Sequence, residues 1–240
     1  MQRKFVSKRV VELNGEDVYY VNFREDNKWF NSRMNDDVEL DKLQNIIELN
    51  INELMPIPKD DMKIFGEFKQ ISDEYYTKFF DVSLLGYMDK PRTVFESEIE
   101  VYEKIAKAPH NNICKYFGCV TGVQEYMHNM LIGIVLEKCD YTLEEAIKNN
   151  IKIDKQKIMI EIKSAVCHLH SMGLVHGDIN PKNIMLRNTG EAVLIDFDSA
   201  NAESSKAGTD GWMSKEYTKS TYDDLYSIEK IQQYLQINNV

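Results

Sequence analysis

LVHGDINPKNIML (174–186) places an acid, Asp178, and an amide, Asn183, on one short loop bounded by apolar residues. The stretch before it, DKQKIMIEIKSAVCHLHSMG (154–173), has the spacing of an amphipathic helix closed by Gly173. After it come two short apolar runs, IML (184–186) and AVL (192–194), around a turn at Asn188–Gly190. A hairpin of those two runs would bring the Asp178–Asn183 loop beside Asp196 in LIDFDSA (194–200). Asp178 can then accept a proton or orient a hydroxyl. Asn183 and Asp196 offer the hard oxygens that Mg2+ takes when it also holds phosphate oxygens. Any one of these residues alone reads as a turn or cap residue. Together they form the set that phosphoryl transfer needs, because that chemistry is mostly positioning and neutralisation of charge.

The bulk composition agrees with a globular protein. The chain has 240 residues, 43% hydrophobic and 28% charged, with a formal net charge of −10. That is enough apolar material for one sizeable core or two lobes sharing a cleft. The negative balance argues against a nucleic-acid backbone or an anionic membrane as partner. The basic opening MQRKFVSKRV is followed by no apolar signal region, and no apolar run is long enough to span a bilayer, so the expectation is an intracellular, cytoplasmic protein. Cys114, Cys119, Cys139 and Cys167 match no common zinc spacing and are expected to be reduced packing residues.

Organisation along the chain follows from periodicity. KRVVELNGEDVYYVNF (8–23) alternates about Asn14-Gly15 and reads as a hairpin. Leu40, Leu43, Ile46, Ile47, Ile51 and Leu54 recur at helical spacing, which predicts an amphipathic helix stopped by Pro56 and Pro58. Aromatic runs at 63–71 and 75–87 favour strands, and Phe95, Ile99, Tyr102 and Ile105 make one helical stripe. The runs 113–122 and 130–139 read as paired buried strands, after which the texture turns helical. Strands first and helices afterwards imply two lobes of different class, with a hinge near Glu137 to Asp140. The expected divisions are an N-terminal hairpin-plus-helix extension (1–60), a strand-rich lobe (61–136) and a reduced helical lobe (137–240).

The string H-x-D-x-x-x-x-N from His176 to Asn183, followed after a hairpin by Asp196-Phe197-Asp198, resembles the catalytic loop and metal-binding turn of the protein kinase superfamily. GTDGWMSKEY (208–217) is similar to the close of a kinase activation segment, with Glu216 at the acid position and Lys215 where proline is usual. YDDLYSIEKI (222–231) resembles the helix that follows, with Asp224 as the buried acid bracing the catalytic loop. The resemblance implies an α+β bilobal kinase-like fold that uses ATP and Mg2+ on a protein substrate, with serine or threonine ahead of tyrosine as acceptor. It implies Asp178 as catalytic base, Asn183 and Asp196 as magnesium ligands, and His176 and Phe197 as packing residues between the lobes. Lys182 stands where it would stabilise the γ-phosphate, and backbone groups around Glu137 and Cys139 would hold adenine. Lys78 in YYTKFF (75–80) sits where the resemblance would place the phosphate-gripping lysine, and Glu98 is its best helical partner, with Glu96 and Glu100 as alternatives.

Several departures from the family pattern shape the alternatives. No G-x-G-x-x-G precedes Lys78, and Asp198 replaces the glycine of D-F-G. Gly177 stands where most protein kinases carry the arginine that docks a phosphorylated activation segment, so no phosphorylation switch is expected there. Ser204 and Ser205 remain available hydroxyls, and Thr209 resembles the family's active-site threonine. No arginine follows Glu216 to pair with it, so this acid must find another partner or stay solvated. The missing glycine loop supports a pseudokinase scaffold as one rival. HGD followed by IDF also resembles aminoglycoside and choline phosphotransferases, which makes a small-molecule kinase the other. The extension 1–60 is expected to pack on the cleft or on a partner.

Overall fold

The computed structural model describes residues 3–13, 16–26, 28–67, 70–86, 91–122, 129–200, 208–216 and 218–238. β1 (Lys4–Leu13) and β2 (Glu16–Glu25) pair antiparallel from Lys4 opposite Arg24 to Leu13 opposite Glu16. The expected turn, Asn14-Gly15, lies outside the described residues. β3 (Lys28–Met34) and β4 (Ile46–Leu49) extend the hairpin into a four-stranded antiparallel sheet in the order β1-β2-β3-β4.

The amphipathic helix expected across Leu40 to Leu54 is not what forms. In its place stand a 3-10 turn at Leu40–Lys42, strand β4, and a single helical turn, α1 (Ile51–Leu54). Asn45 takes φ 50°, a left-handed value that no helix tolerates in its interior. The β-branched Ile46 and Ile47 then suit the open edge of β3, where Ile47 lies opposite Asn31. Ile47 remains 64% exposed, so the apparent apolar stripe was never a buried helix face.

The second sheet has the order β5-β7-β8-β6, from β5 (Ile64–Glu67), β7 (Tyr116–Thr121), β8 (Leu131–Glu137) and β6 (Tyr75–Phe79). β5 joins β7 in parallel, while β7–β8 and β8–β6 are antiparallel. Lys78 lies opposite Ile134 in the β6–β8 ladder. β5 therefore sits on the edge opposite β6, and among the described residues no strand pairs with the outer edge of β6. α2 (Pro91–Ala106) buries Phe95, Ile99, Tyr102 and Ile105, the stripe expected from its spacing.

The helical part begins with β9 (Tyr141–Thr142) and α3 (Leu143–Lys148), capped by a reciprocal Thr142–Glu145 box. α4 (Lys155–Ser171) starts on Asp154, whose carboxylate accepts from Lys157 N, and stops at Gly173 with φ 69°. Its buried face, Ile158, Ile162, Ala165, Val166 and Leu169, shares one core with β10 (Ile184–Leu186), β11 (Ala192–Leu194) and α5 (Thr221–Ile237). The same core runs into the strand-rich part, so the fold is α+β with two parts of different class, as the sequence implies. Phe197 sits at the junction, 5.1 Å from both the Tyr102 and His176 rings. Among the described residues no helix is long and apolar enough to cross a membrane.

Candidate active site

Asp224 fixes the loop that carries Asp178. Fully buried near the start of α5, its carboxylate accepts from His176 N at 2.9 Å and Gly177 N at 2.8 Å, and meets His170 Nε2 at 2.8 Å. Those amides belong to a non-helical turn and have no helical or strand partner, so a buried acceptor is what allows the turn to be buried at all. Gly177 takes φ 76° there. Its carbonyl would lie 2.5 Å from a Cβ placed on Gly208, so the activation segment and this loop meet backbone to backbone.

The Asp178 carboxylate is held from three sides. Oδ1 accepts from Thr209 N at 2.7 Å and Asn180 Nδ2 at 3.0 Å, while Oδ2 accepts from Asn183 Nδ2 at 3.1 Å. Asn183 Nδ2 also donates to the Asp178 carbonyl at 2.9 Å, which leaves its Oδ1 as the amide's acceptor oxygen. Ile195 N donates to the Asn183 carbonyl at 3.0 Å, so the loop and the strand leading to Asp196 are joined directly. Asn180 is the residue that sequence reasoning undervalued: its amide also reaches Thr209 Oγ1 at 3.2 Å and ties the activation segment to the loop.

Lys78 supplies the second convergence. Its ammonium lies 2.7 Å from Glu98 Oε1 and 2.7 Å from Asp196 Oδ1, across 20 and 118 residues of sequence. Glu96 and Glu100, the other candidate partners, are engaged elsewhere, with Arg92 and Lys59 respectively. Burial lowers the Lys78 pKa, but the Glu98 and Asp196 charges outweigh it and hold the ammonium above its ordinary value. Burial pushes the Glu98 carboxyl up, and Lys78 pulls it back only in part, leaving it at about 7. Asp196 takes φ 65°, so the left-handed residue of this turn is the acid itself, and the glycine replaced by Asp198 is not required for it.

The remaining candidates lie around this centre. The Lys182 ammonium is exposed and 3.9 Å from Glu144 of α3, while its amide donates to Asn180 Oδ1. The Glu137 carboxylate is gripped by Arg187 at 2.6 Å and 3.0 Å and its backbone N–H donates to the Lys115 carbonyl at 2.8 Å, so its carbonyl is the group left to offer a nucleotide. Cys139 follows, half-buried, with burial raising its thiol to about 11. Glu216 is exposed, and no ion pair joins it to a described residue. Asp223 anchors that end of the segment instead, accepting from Ser214 Oγ, Thr218 N and Ser220 N at 2.5, 3.1 and 2.9 Å. The doubled acid in YDDLYS was the available signal for it. Ser204 and Ser205 lie outside the described residues.

The donor set fits a magnesium nucleotide. Among the described residues no cluster of three His, Cys, Asp or Glu side chains forms an all-protein metal cage. Mg2+ does not need one, since it is commonly held by one or two protein oxygens with phosphates and water.

Comparison with known proteins gives a consistent result. Residues 69–228 match the sequence family described as the protein kinase domain. The chain is 32% identical over 124 residues to the probable serine/threonine-protein kinase FMP48 of Saccharomyces cerevisiae, covering 45% of this chain and 32% of that protein. It is 31% identical over 128 residues to the serine/threonine-protein kinase pakA of Talaromyces marneffei, covering 48% and 20%. To the cytokinesis protein sepH of Aspergillus terreus it is 28% identical over 160 residues, covering 61% and 11%. The matched part thus spans a third or less of these relatives' own length.

Proposed function

We propose that this chain, which belongs to the protein kinase domain family, transfers the γ-phosphoryl group of ATP to a hydroxyl of a protein substrate. The carrying observation is Lys78 held between Glu98 and Asp196 at 2.7 Å each, a cation poised for phosphate oxygens. On this reading residues 61–136 and 137–240 form the two lobes, and the nucleotide lies between them. Lys78 grips the phosphates, and Glu98 holds its ammonium in place. Backbone groups around Glu137 and Cys139 receive the adenine. Asn183 Oδ1 and the Asp196 carboxylate would hold Mg2+, which when bound supplies neutralising charge to the phosphates. Asp178, already an acceptor for three donors, orients the acceptor hydroxyl and takes its proton. Lys182 reaches the γ-phosphate only by leaving Glu144, a weak exposed contact.

The serine/threonine kinases among its relatives support serine or threonine as acceptor. The net charge of −10 supports a protein partner over a nucleic acid, and the need for ATP supports an intracellular, cytoplasmic site of action. A scaffold without catalysis is the second reading, favoured by one observation: no described strand covers the outer edge of β6, where a phosphate-covering hairpin would lie. Transfer of labelled phosphate from ATP to generic protein substrates, beside a panel of amino-alcohols and sugars, tests the proposal. Asp178→Ala should abolish transfer while Mg·ATP binding persists; an inert wild type would sink the proposal, and labelling of the small molecules alone would replace it.

A further inference from the structure

The phosphoryl-transfer reading gives the first 60 residues no task, yet this N-terminal part contacts the segment that follows the Lys78 strand and, through Lys59, the Glu98 helix. One grip falls on residues 81–86, directly after β6. Arg9 Nη2 meets Asp81 Oδ2 at 2.6 Å and Arg9 Nε donates to Ser83 Oγ at 3.1 Å. Asn22 Nδ2 donates to the Val82 carbonyl at 2.9 Å, and Asn31 Nδ2 donates to Asn22 Oδ1 at 2.9 Å. Asn22 and Asn31 are buried at this contact, so the bond from Asn22 to the Val82 carbonyl is made away from water. Gly86 approaches so closely that a Cβ there would lie 2.4 Å from Asn31 Cγ.

A second grip falls on α2 itself. Lys59 Nζ meets Glu100 Oε1 at 2.7 Å, and Glu103 Oε1 accepts from Lys63 N at 2.7 Å. The segment between these grips is pinned to the sheet: Leu131 N donates to the Pro56 carbonyl at 2.8 Å and Cys119 N to the Lys63 carbonyl at 2.7 Å. Trp29, Met55 and Met62 belong to the same buried cluster as Phe95, Ile99 and Tyr102 of α2. An outward swing of α2 would break both charged contacts and uncover those side chains together.

We propose that residues 3–63 are a built-in brace that keeps α2 seated with Glu98 on Lys78, so that the pair forms without a partner protein or a modification. The inference rests on the reading of Lys78 as the phosphate-binding lysine. Arg9 and Lys59 are then positioning residues, remote from the reacting atoms. The test uses the full chain with Lys59→Glu, Glu100→Lys and their double exchange, and likewise Arg9→Asp, Asp81→Arg and their double. Two quantities are read: amide hydrogen exchange across residues 92–106, and kcat beside the KM of a generic protein acceptor.

Each single variant should speed exchange in α2 and lower kcat by about three- to five-fold, the effect of turning an attractive surface pair into a repulsive one, with the acceptor KM unchanged. Each double exchange should restore both. Unchanged α2 exchange in every single variant, changes confined to residues 4–34, or doubles that fail to recover would overturn the brace. Exchange needs no turnover, so a wild type without transferase activity would remove the functional reading while the brace is still decided by α2 exchange.

Discussion

Replacing Asp224 by alanine should cost more stability than its small size suggests, and the amount follows from its contacts. The carboxylate is the acceptor for His176 N and Gly177 N, both in the buried turn before Asp178, and for His170 Nε2. A buried amide left without an acceptor costs about 1–3 kcal/mol, so the two amides together account for about 2–6 kcal/mol. His170 keeps an 18% exposed side chain and can turn to water, so it adds little. Against a typical total of about 5–15 kcal/mol, that loss is a large fraction of the fold's stability. Asp224→Asn keeps one acceptor oxygen but presents an NH2 group to the other amide, and should lose about half as much. Urea unfolding measures it: with a slope of about 2 kcal/mol per molar, the alanine variant's midpoint should fall by about 1–3 M. A loss below about 1 kcal/mol for Asp224→Ala would show that water or another group serves these amides equally well, and the bracing argument would fail.

Two further outcomes follow from the site. The Glu98 carboxyl is raised to about 7, so its protonated fraction grows as pH falls through that value and Lys78 loses one of its two charged partners, the one that holds it to α2. Transfer should therefore decline on the acid side with a midpoint near 7, and Glu98→Gln should be slow and lack that limb in a pH–rate profile. A Gly208→Ala side chain would fall 2.5 Å from the Gly177 carbonyl and 2.9 Å from Met213 Cγ. Overpacking of that kind costs about 1–3 kcal/mol, and it should lower both the melting midpoint and kcat by dislodging Thr209 from Asp178.

The region from Gly173 to Asp196 was legible because its signals are local. Gly173, the His176–Asn183 string, the two three-residue strands and Asp196 lie within a short span, and each rests on a turn or cap that sequence reveals. Asn45 shows the opposite case. Leu40, Leu43, Ile46, Ile47, Ile51 and Leu54 fit a helical period by count, but the left-handed backbone at Asn45 and the free edge of β3 made Ile46–Leu49 a strand. Periodicity cannot see an edge supplied by another strand. Glu98 was separable from Glu96 and Glu100 only in three dimensions, where Arg92 and Lys59 occupy its neighbours. Arg187 was missed for the same reason, since the Glu137 group it meets is 50 residues away, whereas Asp223 had a local signal in its capping box with Ser220 and only its bond to Ser214 comes from the fold.

Magnesium-dependent ATP binding tests the central claim most directly, because one nucleotide site must join Lys78 to Asn183 and Asp196. Isothermal titration with ATP, with and without Mg2+, on the wild type and on Asp196→Ala reads it. The account predicts tight binding by the wild type only when Mg2+ is present, and loss of that magnesium dependence in Asp196→Ala. Equal affinity with and without the metal in the wild type, or an unaltered magnesium response in the variant, would contradict it.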